Sequence, residues 1–359
     1  MIEQLALLRA LRFALENFEN NENWQSKIHF ASIRNRWFEP ENIHQSLNQW
    51  YESLSENAVM EFLENYNWNS LSVEQESSRI PVLGLILAGN IPLVGLQDVI
   101  NGVLCGYQLK VKRSSDDEVL ITHLIETAAT FEPLWSQRVV WSDDLKGIDA
   151  AIATGSNNSS RYFEYYFRDI PHIIRKNRNS VAILNGEESD DEILSLGQDI
   201  FNYFGLGCRN VTHIILPEKY DLGRIFRKWD EVYLNTIVNH NKYVNNYHYH
   251  KALLLMNLDP HVDTGYVIAK ESEELYAPVG MLHFSYYQNI NQIVDKIKFW
   301  DSNIQVVVTN WDDVQEKLNS ENVSIVKLGN SQCTTLMDFA DNLDTVQWLI
   351  DNCRFKTIQ

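Results

Sequence analysis

Short apolar runs of strand length alternate with helical segments from residue 81 onward, and no other feature of the chain limits its fold as strongly. The first run covers residues 81–88, a turn and a buried-helix pattern follow over 89–107, and a second run covers 109–112. A strand, a helix and another strand within about 30 residues are typical of a βαβ unit, whose strands pair in parallel. Ligands of such sheets bind beyond the carboxyl ends of the strands. The sequence therefore predicts an α/β fold with a binding site near these turns.

The alternation continues along the chain and divides it into two α/β halves near residue 178. Residues 1 to about 75 have a helical pattern and precede the first half. Further strands are predicted at 138–141, 149–153, 172–174, 180–184, 211–216, 252–256, 266–269, 279–283, 305–309 and 323–327. A closing helix is predicted over 338–352. We expect two α/β domains with parallel-rich sheets, covering 1–178 and 179–335, a C-terminal helix over 336–359, and a binding site in the cleft between the domains.

Composition and charge exclude several classes of partner. The 359 residues are 45% hydrophobic, which is enough to build two cores, and the net charge is −18. Nucleic acids and anionic membrane surfaces attract clustered positive charge, so neither is expected as the main partner. No apolar run approaches the roughly 20 residues that span a bilayer. We expect no membrane span.

The cysteines and the N-terminal residues indicate the cytoplasm. Cys105, Cys208, Cys333 and Cys353 are widely separated and form no zinc-type or disulfide-type pattern. Glu3 lies where a signal peptide would carry basic residues, and no apolar block follows it. We expect reduced thiols and a cytoplasmic protein.

His248 and His250 are the one pattern that resembles a pair of metal ligands. On a strand, two residues in alternation would place both imidazoles on one face. No third ligand stands at a fixed spacing from them. We predict no metal site.

Cys208 lies in a glycine-rich loop between two regular elements. Ile193, Leu196, Ile200 and Phe204 recur at helical spacing before it, and the β-rich run 211–216 follows it. The glycines of residues 205–208 allow backbone N–H groups to come close to whatever the sulfur attacks. The neighbouring residue, an arginine, would help to lower the pKa of the thiol. A nucleophile and a small buried core residue are both compatible with this local sequence.

Five segments occur in an order that resembles the aldehyde dehydrogenase superfamily. They are the Asn-Ile-Pro turn at 90–92, the strand that ends in a lysine and serines at 112–115, the Thr-Gly-Ser helix start at 154–156, the cysteine loop at 205–208, and the Glu-Leu-Tyr-Ala-Pro-Val segment at 274–279. Within the superfamily, the Leu-Ala-Gly-Asn-Ile-Pro turn at 87–92 and the short chain are most similar to LuxC-type acyl-CoA reductases. The resemblance spans roughly residues 81–283.

The resemblance implies a role for each of these segments. Cys208 matches the nucleophilic cysteine, and Asn90 matches the asparagine whose amide helps to hold the oxyanion. The implied cofactor-binding residues are Lys112 at the adenosine ribose, Ser115 beside it, Gly155 and Ser156 at the pyrophosphate, and Glu274 at the nicotinamide ribose.

Two departures from the superfamily pattern refine the expected chemistry. Oxidising members usually carry a glutamate about thirty residues before the cysteine, where it activates hydrolytic water, whereas residues 173–177 contain no carboxylate. An acyl-enzyme would then survive to be reduced or passed to a thiol. Many NAD-preferring members have an acid three residues after the lysine, where this chain has Ser115, and Arg113 lies beside Lys112. Without that acid a 2′-phosphate is not repelled, so NADPH is expected, with NADH as the alternative.

Together these residues imply an NAD(P)H-dependent reduction of a long-chain acyl-CoA to an aldehyde through an acyl-cysteine. Residues 1–178 would bind the cofactor and residues 179–335 would carry the nucleophile. The resemblance is compatible with a homo-oligomer and with a partner enzyme that donates acyl groups. Two other functions stay open: a cysteine-dependent acyltransferase or thioesterase without hydride transfer, and a non-catalytic nucleotide- or CoA-binding protein.

Overall fold

The computed structural model describes residues 1–71, 79–319, 321 and 323–352. The described helices are α1 Ile2–Leu15, α2 Glu22–Arg34, α3 Pro40–Ser53, α4 Glu56–Glu64, α5 Leu96–Leu104, α6 Glu118–Phe131, α7 Leu134–Arg138, α8 Asn157–Phe167, α9 Asp190–Phe201, α10 Leu222–Asp230, α11 Leu234–Ile237, α12 Asn241–Asn257, α13 Ile290–Trp300, α14 Asp312–Leu318 and α15 Thr345–Asn352. Within these ranges, none of the helices combines the length and apolar character that a bilayer crossing requires.

The strands separate into two sheets. They are β1 Val82–Ile86, β2 Gln108–Lys112, β3 Val139–Trp141, β4 Ala150–Thr154, β5 His172–Arg175, β6 Asn179–Ile183, β7 Val211–Pro217, β8 Val262–Asp263, β9 Ile268–Glu271, β10 Met281–Tyr287, β11 Ile304–Val308 and β12 Ser324–Val326. The chain forms two compact units: a first unit of Met1–Asn177 with the C-terminal residues from Thr334 onward, and a second unit of Arg178–Cys333.

The sheet of the first unit has the strand order β3-β2-β1-β4-β5, with each neighbouring pair parallel. Strand β1 lies at its centre, and Leu83 and Leu85 are fully buried there. Helices α1 to α6 and α15 pack in one continuous apolar core with one face of this sheet. Ala151, Ala153 and Phe167 belong to a smaller core on α8 and β4. Because both faces of the sheet are covered at its centre, strands β1 and β4 are apolar almost throughout.

The sheet of the second unit has the order β12-β11-β6-β7-β10-β9-β8. Its pairs are parallel except for the short edge strand β8, which runs antiparallel to β9. Helices α13 and α14 pack over β6, β7, β10 and β11 in an apolar core that includes Val181, Ile215 and Val307. A parallel sheet aligns the starts of its strands at one edge and their ends at the other, and the candidate site in this unit lies at the starting edge.

Two sequence predictions are wrong. Residues 252–256 form the last turns of α12 and not a strand, so His248 and His250 lie on a helix, where residues two apart point to different sides. The two imidazoles therefore do not share the common face that a strand would have given them. The closing helix begins at Thr345 and not near 338, because Asp341 and Asn342 have left-handed φ values of 62° and 54° that a right-handed helix excludes.

Candidate active site

The loop that carries Cys208 turns sharply at the end of α9. Ser189 forms a capping box with Glu192 at the start of this helix, and the helix ends at Phe201. Tyr203, Phe204 and Gly205 then adopt left-handed φ values of 53°, 57° and 75°. Such a run reverses the chain within a few residues, so Cys208 stands just before β7 begins.

Asn210 braces the cysteine loop from inside. Its side chain is fully buried, its Oδ1 accepts from the Gly207 N–H at 2.8 Å, and its Nδ2 donates to the Asp199 and Asn202 carbonyls at 3.0 and 2.9 Å. The Asn210 N–H donates to the Gly207 carbonyl at 3.1 Å, which closes a tight turn around Cys208. The Asn210 side chain thus supplies hydrogen bonds to carbonyls at the C-terminal end of α9, and it also fixes the shape of the loop.

A second contact orients the peptide that follows the sulfur-bearing residue. The buried Ser180 hydroxyl donates to the Cys208 carbonyl at 3.1 Å from the neighbouring strand β6. The Cys208 residue itself is part-buried. A fixed backbone and a partly accessible side chain are what a nucleophile requires.

Arg209 extends away from the loop toward residues 331–333. Its Nε donates to the Ser331 carbonyl. Burial and the charge of Asp199 raise the pKa of the Cys333 thiol, and the Arg209 charge partly opposes this shift. The Asp199 carboxylate accepts from the Gly329 and Ser331 N–H groups at 2.6 and 2.9 Å, although burial raises its pKa. These contacts tie the cysteine loop to the chain segment at 329–333.

The backbone of Glu274 is held against β7 and β10. The Glu274 carbonyl accepts from Nδ1 of His213 at 2.8 Å and from Nδ1 of His283 at 3.0 Å. The Thr212 hydroxyl donates to the Leu275 carbonyl at 2.9 Å. The exposed Glu274 side chain therefore lies near the start of β7, which follows Cys208 directly. The structure brings these two predicted site residues to the same edge of the second sheet.

His213 is a neutral side chain that connects the Glu274 backbone to Ser285. Its Nε2 lies 2.8 Å from the Ser285 hydroxyl, to which Lys296 donates at 2.7 Å. Burial, with smaller contributions from Lys296 and His283, lowers the pKa of His213 to about 3. Because a carbonyl can only accept, Nδ1 carries the proton and Nε2 accepts from Ser285. Every polar atom of the His213 side chain has a defined partner.

The neutral state of His213 predicts a loss of stability in acid. Its pKa rises from about 3 in the fold to its ordinary value of 6.5 on unfolding, so between these pH values the unfolded chain binds a proton that the fold excludes. The free energy of unfolding should therefore fall as pH drops below 6.5, by up to about 1.4 kcal/mol per pH unit from this group. Urea unfolding at pH 7 and pH 5 measures the slope. The His213→Asn variant, which keeps a donor toward Glu274, should have a smaller slope; an equal slope contradicts this interpretation.

The other predicted site residues lie in the first unit, at the carboxyl ends of three neighbouring strands. Asn90 follows β1, Lys112 is the last residue of β2, and Ser115 lies just after that strand. The turn at 155–156 follows β4. Because β2, β1 and β4 are adjacent and parallel, these residues share one edge of the sheet. The side chains of Asn90, Lys112 and Ser115 are exposed there.

The turn between β4 and α8 suits a phosphate group. Ser156 caps α8, since its hydroxyl accepts from the Ser159 N–H at 3.2 Å. A Cβ on Gly155 would lie 2.8 Å from the Phe163 ring and 3.1 Å from the Ser159 Cβ, so a larger residue does not fit. The backbone can therefore approach a ligand closely at a helix N-terminus, where anions bind favourably. These residues fit the pyrophosphate of a dinucleotide.

Arg113 is engaged with neighbouring side chains. Its Nη1 donates to the Thr122 hydroxyl at 2.6 Å, and its guanidinium lies 4.9 Å from the centre of the Trp141 ring. Lys112 and Ser115, in contrast, are exposed on the same loop. Of the predicted residues at this end of β2, Lys112 and Ser115 are therefore accessible to a ligand.

Residues 173–177 contain no carboxylate, and strand β5 ends within them at a buried cation, Arg175. Arg175 is paired with Asp98 of α5, and its Nη2 donates to the Thr345 hydroxyl of α15 at 3.0 Å. The side chains of both charged residues are less than a tenth exposed. This position thus holds a buried ion pair that connects β5 to α5.

Sequence reasoning missed the residues that brace the site. His213, His283 and Ser180 bond to residues that lie 61, 9 and 28 positions away, so no local pattern reveals those contacts. Asn210 differs, because its bond to the N–H three residues earlier is a local turn signal.

No protein-family model and no curated protein matches the sequence. Solved structures do match the fold. Aldehyde dehydrogenase 21 from Physcomitrella patens, in complex with the reaction product succinate, has a TM-score of 0.64 and 12% identity over 98% of this chain and 84% of its own. A Mycobacterium tuberculosis aldehyde dehydrogenase complexed with NAD⁺ has a TM-score of 0.60 and 13% identity over 91% of this chain and 77% of its own.

A mutant of propionaldehyde dehydrogenase, from the fucose utilisation bacterial microcompartment of Clostridium phytofermentans, has a TM-score of 0.60 and 11% identity. The match covers 92% of this chain and 84% of the other. At such low identity the likeness defines the fold. The predicted aldehyde dehydrogenase-like α/β fold with parallel-rich sheets is confirmed.

Proposed function

We propose that this protein reduces a long-chain acyl-CoA to an aldehyde, with NADPH as the hydride donor and Cys208 as the nucleophile. The observation that supports this most is the position of Cys208: a part-buried thiol on a loop braced by Asn210 and Ser180, at the start of a central strand in an aldehyde dehydrogenase-like fold. The structure of a fold neighbour complexed with NAD⁺ supports a nicotinamide cofactor.

Cys208 would act in both halves of the reaction. Its thiolate attacks the thioester carbonyl carbon, and the oxyanion accepts hydrogen bonds from the Asn90 amide and the Cys208 N–H, each donor contributing about 3 to 4 kcal/mol in the transition state. The bond to the CoA sulfur then breaks, CoA leaves as a thiol after taking up a proton, and the acyl group stays on Cys208. After reduction, the thiohemiacetal on Cys208 loses its proton, the carbon–sulfur bond breaks, and aldehyde and thiolate separate.

Residues of the first unit would hold the cofactor. A bound nicotinamide supplies the hydride for the acyl carbon. The turn at 155–156 would hold its pyrophosphate, Lys112 and Ser115 its adenosine ribose and 2′-phosphate, and Glu274 of the second unit its nicotinamide ribose. We accordingly assign cofactor binding to residues 1–178 and nucleophilic catalysis to 179–335.

The structure near residues 173–177 supports reduction over hydrolysis. Residues 173–177 contain no carboxylate that could activate water, and Arg175 among them is bound to Asp98 and Thr345. An acyl-enzyme without a hydrolytic base persists long enough to be reduced.

Absorbance of the reduced nicotinamide, measured with acyl-CoAs of different chain length, tests the function. CoA release is measured in parallel. Cofactor oxidation that depends on acyl-CoA, with equal CoA release, supports the reductase. CoA release without cofactor oxidation indicates an acyltransferase or thioesterase, and cofactor binding without either change indicates a binding protein. The resemblance also supports a homo-oligomer and an acyl-donating partner enzyme, which sedimentation analysis and a coupled assay with that enzyme would test.

The Ser115→Asp variant should lose its preference for NADPH. A carboxylate beside Lys112 would repel a 2′-phosphate and accept from the ribose hydroxyls of NADH. We expect KM for NADPH to rise roughly tenfold or more, a change of about 1.4 kcal/mol, while KM for NADH stays equal or falls. Ser115→Ala is the matched control, because it removes the hydroxyl without adding charge. If Ser115→Asp changes both KM values equally, Ser115 does not face the 2′ position.

A further inference from the structure

The turn that carries Asn90 is strained and packed closely. Leu93, at the end of this turn, adopts a left-handed φ of 58°, which non-glycine residues rarely do without support from their surroundings. The Ser46 hydroxyl of α3 donates to the Pro92 carbonyl at 2.9 Å. A Cβ on Gly89 would lie 2.4 Å from the Ser114 hydroxyl oxygen. The turn thus rests directly on the loop that follows β2.

Asp117 connects that loop to the strained residue. Its Oδ2 accepts from the Leu93 N–H at 2.6 Å, while its own N–H donates to the Ser114 carbonyl at 3.3 Å. The carboxyl is almost fully buried, and Oδ1 has no hydrogen-bond partner among the described residues. Burial, and the negative charge of Asp116, raise the pKa of Asp117 well above its ordinary value, although the Leu93 N–H opposes this shift. Burying a carboxyl group with a single hydrogen bond is unfavourable, so packing alone does not account for an acid at this position.

We propose that Asp117 is a positioning residue that holds the Asn90 turn in its catalytic shape. This inference rests on the proposed function, because it assigns Asn90 to the oxyanion. Without the bond from Leu93 to Asp117, the turn loses the contact that fixes its strained end, and the Asn90 amide shifts. A displacement of about 1 Å is enough to reduce a rate by about 10²-fold.

The test compares Asp117→Ala with Asp117→Asn. Asparagine keeps an oxygen acceptor for the Leu93 N–H, and it has nearly the same shape as the carboxyl group. We expect Asp117→Ala to lower kcat roughly 30- to 100-fold, which corresponds to a displacement of about 1 Å. KM for NADPH should stay within threefold of wild type. Asp117→Asn should restore most of the rate. Asp116→Ala, which alters the exposed neighbour, is the matched control.

A double variant separates positioning from general damage. If Asp117 acts through Asn90, the variant with both Asn90→Ala and Asp117→Ala should be no slower than Asn90→Ala alone. The proposal would be overturned if the double variant lost kcat by the product of the two single losses. An Asp117→Asn rate as low as that of Asp117→Ala would also overturn it.

Amide hydrogen exchange provides a readout that does not depend on activity. In Asp117→Ala, peptides covering 89–95 should exchange at least tenfold faster than in wild type, whereas in Asp117→Asn they should not. Unchanged exchange in Asp117→Ala would overturn the positioning role. If the wild-type protein does not reduce acyl-CoA, the proposed function fails, yet the exchange result still decides whether Asp117 holds the turn.

Discussion

Replacing Cys208 with alanine is expected to lower kcat for acyl-CoA reduction by roughly 10⁴-fold or more, the scale on which enzymes lose activity without their nucleophile. In the proposed reaction the sulfur forms the acyl intermediate and later releases the aldehyde, so we expect no other group to replace it. Binding of NADPH should stay within threefold of wild type, because the residues assigned to the adenosine and pyrophosphate are elsewhere.

Cys333→Ala provides the matched control for this variant. Cys333 is an exposed residue in the same unit, and partial burial of its sulfur and the charge of Asp199 raise the pKa of its thiol. Its removal should leave kcat within about twofold of wild type, because the proposed reaction forms no bond to the Cys333 sulfur and exposed residues tolerate substitution. Steady-state rates of the two variants decide the assignment. Activity of Cys208→Ala within tenfold of wild type would exclude Cys208 as the nucleophile.

Replacing Arg175 with methionine is expected to lower the free energy of unfolding by about 3 to 5 kcal/mol. The Asp98 side chain is only 6% exposed, and without Arg175 its charge would be buried and unpaired. The Thr345 hydroxyl of α15 would also lose its donor.

Urea unfolding of three variants measures this effect. Arg168→Met is the matched control, because Arg168 pairs with Asp169 at the surface, where their side chains are 60% and 86% exposed. Such a pair contributes about 0 to 1 kcal/mol. The double variant with Arg175→Met and Asp98→Leu should recover much of the loss, since two apolar residues leave no unpaired charge. A single Arg175→Met variant as stable as Arg168→Met would contradict the proposed role of the buried pair.

Much of the fold could be predicted because its strands are local, apolar and short. The run at 211–216 is buried almost throughout, so its composition alone identifies β7. The apolar run at 252–256 is wrongly predicted as a strand, because its apolar residues are mostly exposed and its composition does not reflect burial in a sheet. It lies at the end of a helix that buries only Tyr243, Tyr247 and Leu254, and its other leucines and its methionine are exposed. An apolar run without helical periodicity cannot be distinguished from a strand in the sequence.

The candidate site could be predicted only where its signal is local. The sequence indicates Cys208 as a candidate because glycines and a change of periodicity surround it. It does not indicate His213, whose partner Glu274 is 61 residues away, or Asp117, whose partner Leu93 is 24 residues away. Such contacts form only when the chain has folded, and side chains that position others leave no pattern in the sequence.

A single-turnover experiment tests the central claim that one sulfur both accepts the acyl group and releases the aldehyde. The protein is first incubated with a long-chain acyl-CoA without cofactor, and intact mass then reports the acylated form. NADPH is added after excess thioester has been removed. The account predicts one acyl group on Cys208 and, after addition, one aldehyde and one oxidised cofactor for each acyl group lost. Release of the free acid, or loss of the acyl group without cofactor oxidation, would contradict it.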